Sequence, residues 1–137
     1  MITREIKGKK IGLLKLNHKD ATIYSRRDDL NAYTFSKHRH TDDWEVTERV
    51  KNYAAGKKST DNHQFYKRII KEVSDFDFLL IASHGKGSAN EGEKLETYIH
   101  KHNKHLSERI IGHIATHNHR TENELLSEAD TFLNFRW

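Results

Sequence analysis

The chain has 137 residues, which suits one domain built around a single core. It is 34% apolar and 32% charged, and no stretch approaches the ~20 apolar residues of a membrane span. The absence of cysteine excludes disulfides and thiol chemistry, and a net charge of +4 with eleven histidines biases the chain toward anionic partners such as RNA.

Residues 1–9 are basic, lack the apolar centre of a signal peptide, and read as a loose start to a cytoplasmic protein whose domain covers 10–137. Residues 10–16 (KIGLLKL) predict a first strand, 17–20 a turn, and 21–25 a second strand. After a charged turn at 26–29, the alternation of Leu30, Ala32 and Thr34 with Asn31, Tyr33 and Phe35 predicts a third strand. These three form an antiparallel meander. From 36 to 59 no period is sustained, although Trp44, Val46, Val50 and Tyr53 suggest a short amphipathic turn or two. Loops longer than ~15 residues are uncommon in compact domains and tend to carry function.

A helix follows over 61–73, with Phe65, Tyr66, Ile69, Ile70 and Val73 on one face and Ser59 or Thr60 as its cap. The longest apolar run, Phe78 to Ala82, predicts a strand buried on both faces at the centre of the sheet. A second helix from about Asn90 to His102 turns Leu95, Tyr98 and Ile99 inward, and 110–115 (IIGHIA) predicts a fifth strand. Thr121 and Glu124 have capping-box spacing ahead of a last helix that ends near Phe135. The order β-β-β-α-β-α-β-α predicts an α/β, single-domain, ribonuclease-H-like three-layer fold. Its five-stranded mixed sheet joins the antiparallel meander to two parallel strands, with three main helices.

A nuclease on such a sheet needs clustered carboxylates, commonly one on the first strand, and KIGLLKL has none. Asp75 and Asp77 flank the strand at 78–82 on the side away from the glycine turn and read as strand-edge solubility residues. His38 with His40, and His117 with His119, have H-x-H spacing, but neither pair has a third ligand at defined spacing, so no metal is expected. The turn Gly85, Lys86, Gly87 and Ser88 before a helix could offer backbone N–H groups to a phosphate, although it lacks the P-loop and dinucleotide spacings. No cofactor is expected.

Gly56, Lys57 and Lys58 ahead of the helix at 61–73 combine backbone donors with cations, as contacts to RNA phosphates require. His38, Arg39 and His40, with Lys67 and Arg68 on the helix, extend this candidate nucleic-acid-binding set, and Tyr53 offers a stacking surface.

The segments LNHKDA (16–21), HQFYKRI (63–69), FLLIASHGKGSANEGEKLETYI (78–99), LSERIIGHI (106–114) and TENELLSEADTF (121–132) resemble small bacterial translational machinery proteins. Those are similar to the central domain of archaeal and eukaryotic class I peptide release factors, and the resemblance runs over about 11–133. It implies a translation-associated domain whose partner is RNA, either tRNA or ribosomal RNA, or the ribosome. In release factors this domain carries a Gly-Gly-Gln loop ahead of a helix. The corresponding stretch here, 55–59, keeps Gly56 and has no glutamine, and Gln64 lies inside the helix, so peptidyl-tRNA hydrolysis is not expected. Two alternatives remain open: a hydrolase acting on a tRNA ester, and a protein-interaction module, self-associating or not, that uses Trp44, Phe135 or Trp137.

Overall fold

The structure, a computed structural model, describes residues 10–17, 19–26, 44–52, 63–84, 91–116 and 121–136. Five strands, β1 (Ile11–Leu16), β2 (Asp20–Arg26), β3 (Trp44–Lys51), β4 (Phe78–Ser83) and β5 (Ile110–Ala115), form one sheet in the order β3-β2-β1-β4-β5. β1 pairs antiparallel with β2, which pairs antiparallel with β3. β4 runs parallel to both β1 and β5. The helices are α1 (His63–Val73), α2 (Glu91–His102), the short α3 (Lys104–Ser107) and α4 (Glu122–Arg136). No helix among the described residues is long and apolar enough to cross a membrane.

The alternation of side chains along each strand divides the core into two layers. Leu14, Leu16, Ala21, Ile23, Leu79 and Ile81 face α1, α2 and α3, where they meet Phe65, Ile69, Leu95, Ile99 and Leu106. Ile11, Leu13, Tyr24, Leu80, Ala82 and Ile114 face α4 and meet Leu125, Leu126, Ala129 and Leu133. The mixed α/β sheet anticipated from the sequence is therefore present. The capping box of the last helix is too: Thr121 N donates to Glu124 Oε1 at 2.8 Å, and Glu124 N donates to Thr121 Oγ1 at 3.1 Å.

Three local expectations are corrected. The apolar run at 78–82 is buried on both faces, but β1 holds the centre, because β4 has only β5 beyond it. Residues 44–51, expected as turns of helix or loop, form a strand that pairs with β2. Arg26, expected in a charged turn, is the last residue of β2 and is buried. The strand expected at 30–35 lies outside the described residues. The four-residue α3 was not anticipated; Asn103 caps it, its side chain accepting from Leu106 N at 3.1 Å.

The strand at 44–51 escaped detection because its alternation is interrupted. Tyr24 pairs with Val46 and Ile23 with Glu48, which leaves Thr47 as an extra residue in the ladder. The bulge reverses which face successive residues present. Trp44 thus joins the α4 layer while Val50, six residues on, joins the α1 layer. Five exposed residues lie between these two anchors.

Candidate nucleic-acid interface

β3 and α1 are consecutive described elements, and the chain leaves β3 at Asn52 and re-enters at His63. Both points are fixed. Asn52 is buried and its N–H donates to the Lys19 carbonyl at 2.8 Å, while α1 is pinned by buried Phe65, Tyr66, Ile69 and Val73. With that face inward, the helical period turns Lys67 and Lys71 to solvent and leaves Arg68 half-buried beside β3.

A cleft of about 330 Å³ opens between the two elements, lined by Glu48, Arg49, Val50 and Lys51 of β3 and by Arg68, Lys71 and Glu72 of α1. Along β3, Glu48 and Val50 face α1 while Arg49 and Lys51 alternate with them and turn to the α4 side, so the side chains that meet in the cleft are Glu48, Val50, Arg68, Lys71 and Glu72. Arg68 Nη2 donates to the Lys51 carbonyl at 2.6 Å, a charge-assisted bond that joins α1 to the end of β3. Arg68 is thus a strut for the cleft as well as one of its charges.

Of the predicted nucleic-acid-binding residues, Lys67 and Arg68 occupy this flank of α1. His38, Arg39, His40, Gly56, Lys57 and Lys58 lie outside the described residues, as do Gly85, Lys86, Gly87 and Ser88 of the predicted phosphate turn, and both H-x-H pairs. Three cations that border the cleft were not among the predicted binding residues. Lys71 was legible as the i+4 neighbour of Lys67. Arg49 and Lys51 were not, because their placement requires knowing that 44–51 is a strand.

Two other residues carry different roles from those expected. Trp44, a candidate surface for protein interaction, is 6% exposed and its indole N–H donates to Asp130 Oδ1 at 2.8 Å, so it belongs to the core. Asp77, read as a solubility residue, accepts the Lys10 N–H at 2.8 Å and so fixes the entry to β1.

At the carboxyl end of the parallel strands, His84 Nδ1 donates to the Thr116 carbonyl at 2.9 Å, and the first residue of α2, Glu91, is buried. Its carboxylate accepts from the Tyr66 hydroxyl at 3.4 Å and from Lys94 Nζ at 3.3 Å. Negative charge therefore already sits at the positive end of the α2 dipole, where a phosphate would be favoured. On the α4 side, the Tyr24 hydroxyl donates to Glu122 Oε2 at 2.7 Å. Burial, and then that bond, push the Tyr24 phenol above its ordinary range. No group of three or more His, Cys, Asp or Glu that could hold a metal occurs among the described residues.

No family model matches the sequence, and no curated protein matches it significantly. Solved structures do resemble it. Pelota from Archaeoglobus fulgidus aligns at a TM-score of 0.60 with 11% identity, over 94% of this chain and 34% of its own. Pelota from Thermoplasma acidophilum aligns at 0.60 with 14% identity, over 95% of this chain and 36% of its own. An archaeal translation termination factor, aRF1, aligns at 0.48 with 11% identity, over 89% of this chain and 38% of its own, a score too low to argue from. At such identities the likeness to Pelota is one of fold, and this chain spans about a third of the length of those proteins.

Proposed function

We propose that this chain is a translation-associated domain that binds RNA, either tRNA or ribosomal RNA, or the ribosome, through the cleft between β3 and α1 and the segment 53–62 that joins them. The observation that carries the reading is the cationic flank of α1, Lys67, Arg68 and Lys71, which borders the cleft and follows in sequence the segment bearing Lys57 and Lys58. The fold shared with Pelota over nearly the whole chain supports it, as does the sequence resemblance to bacterial translational machinery proteins and release-factor central domains. Mixed Lys and Arg charge held on a rigid strand and helix suits phosphate contacts, which supply most of the affinity in non-specific nucleic-acid binding.

The domain acts by binding and without peptidyl-tRNA hydrolysis, since 55–59 holds no glutamine. Filter binding of tRNA and ribosomal RNA across salt tests the reading. Affinity should fall linearly on logarithmic axes, and Lys51→Ala with Lys71→Ala, or Lys57→Ala with Lys58→Ala, should reduce the slope by about one for each phosphate deprived of its cation. Absence of retention at low salt rejects RNA binding. Turnover of labelled peptidyl-tRNA by the purified chain would replace it with the hydrolase reading.

A further inference from the structure

Four rings run from the core to solvent where α1 meets α2. Tyr66, buried on α1, lies 5.3 Å from the ring of Tyr98 on α2, itself half-buried. Tyr98 in turn holds two imidazoles: His102, one turn on along α2, at 4.3 Å, and His63, the first residue of α1, at 5.3 Å. Both imidazoles are exposed. Filling a helix seam needs the two tyrosines and does not need exposed imidazoles packed at a tilt outside them. Because Tyr98 and Tyr66 back them, these outer rings are held in place before any ligand arrives.

The same face carries cations. His63, Lys67 and Lys71 are spaced i, i+4, i+8 on α1 and all are exposed, so a ring and two ammonium groups form one row about 12 Å long. That row ends in the cleft at Lys71. Aromatic and imidazole faces accept any unpaired base, and a parallel line of cations follows the sugar-phosphate strand. A duplex hides its base faces in its own stack and could use only the cations.

We propose that the α1–α2 seam is a stacking site for unpaired nucleotides, with bases on His63 and His102 and the backbone along Lys67 and Lys71, so that the chain selects single-stranded RNA over duplex. This rests on the RNA-binding reading and specifies its substrate class.

The test is fluorescence anisotropy of the full chain with a labelled 12-nucleotide RNA free of self-complementarity, and with the same strand in a blunt duplex. The single strand should bind about tenfold tighter or more. His102→Ala and His63→Ala, both exposed positions, should each weaken single-strand binding about five- to tenfold and leave duplex binding within about twofold. Lys67→Ala should weaken both. Equal or tighter duplex binding, or single-strand affinity unchanged by either histidine substitution, overturns the stacking site while leaving RNA binding by the cleft intact. No binding of either RNA by the unmodified chain removes both readings together.

Discussion

Asp130 collects two sheet residues through one oxygen. Its Oδ1 accepts from Trp44 Nε1 at 2.8 Å and lies 3.0 Å from Arg26 Nη1, and the Arg26 guanidinium stands 5.5 Å from the Trp44 ring centroid. All three side chains are buried, so the ion pair had to be desolvated and adds less net stability than its Coulomb attraction suggests. Breaking it is another matter. Asp130→Ala should lower the unfolding free energy by ~3–5 kcal/mol, since it removes a buried guanidinium's carboxylate counter-ion, and urea denaturation would read the loss. The pair Arg26→Met with Asp130→Leu should cost much less. A single substitution that moves the urea midpoint no more than the double would contradict this account.

Tyr24 makes stability depend on pH. Its phenol titrates higher in the folded chain than in the unfolded one, so above the unfolded value of ~10 the native state binds more protons and stability falls as pH rises. Below that value the contribution is fully present. Urea titrations between pH 8 and 11 should show stability declining at the alkaline end, and Tyr24→Phe should flatten the decline. Parallel losses in the two proteins would assign the alkaline sensitivity elsewhere.

At the scale of elements, α4 shows how a helix is both started and fitted. The reciprocal Thr121 and Glu124 bonds satisfy two backbone donors at its first turn, and Thr121→Ala should cost about 1 kcal/mol, visible as a small drop in melting temperature with the circular dichroism spectrum retained. No change would mean that Leu125 and Leu126 alone fix the helix start. Farther along, Phe132 closes over Gly112 of β5, where any side chain would collide with the ring, so a glycine in the middle of a strand is explained by close approach of a helix. The bulge in β3 has the same character: it lets one short strand supply Trp44 to one layer and Val50 to the other.

For the molecule as a whole, the two faces of the sheet are unequally covered. α1, α2 and α3 share one face, while among the described residues α4 alone covers the other, tied to β2 and β3 by Tyr24, Arg26 and Trp44. A chain ending at residue 120 would expose Leu13, Leu80, Ala82 and Ile114 and leave Arg26 without Asp130. It should lose its cooperative urea transition and bind a hydrophobic dye. A sharp transition with near-ultraviolet dichroism preserved would show that the α1 layer suffices. Lys67, Lys71 and the ring seam lie on or beside α1, on the side of the sheet opposite α4, whereas Arg49 turns toward Tyr24 on the α4 side.

The elements with unbroken periodicity, β1, β2, β4, β5, α1, α2 and α4, were legible in the amino-acid order because each buries one consistent face or both. That order also placed Lys67 and Arg68 off the apolar face of α1, because their neighbours Phe65 and Ile69 must point inward; Lys67 is exposed and Arg68 half-buried. Packing in three dimensions was needed to show that 44–51 is a strand, that β1 and not β4 is central, and that Arg68 bonds the Lys51 carbonyl beside a cleft. The reason is that local spacing encodes which side of an element is apolar, whereas strand order, a register shift and the bond between Arg68 and the Lys51 carbonyl arise from how those apolar sides pack together.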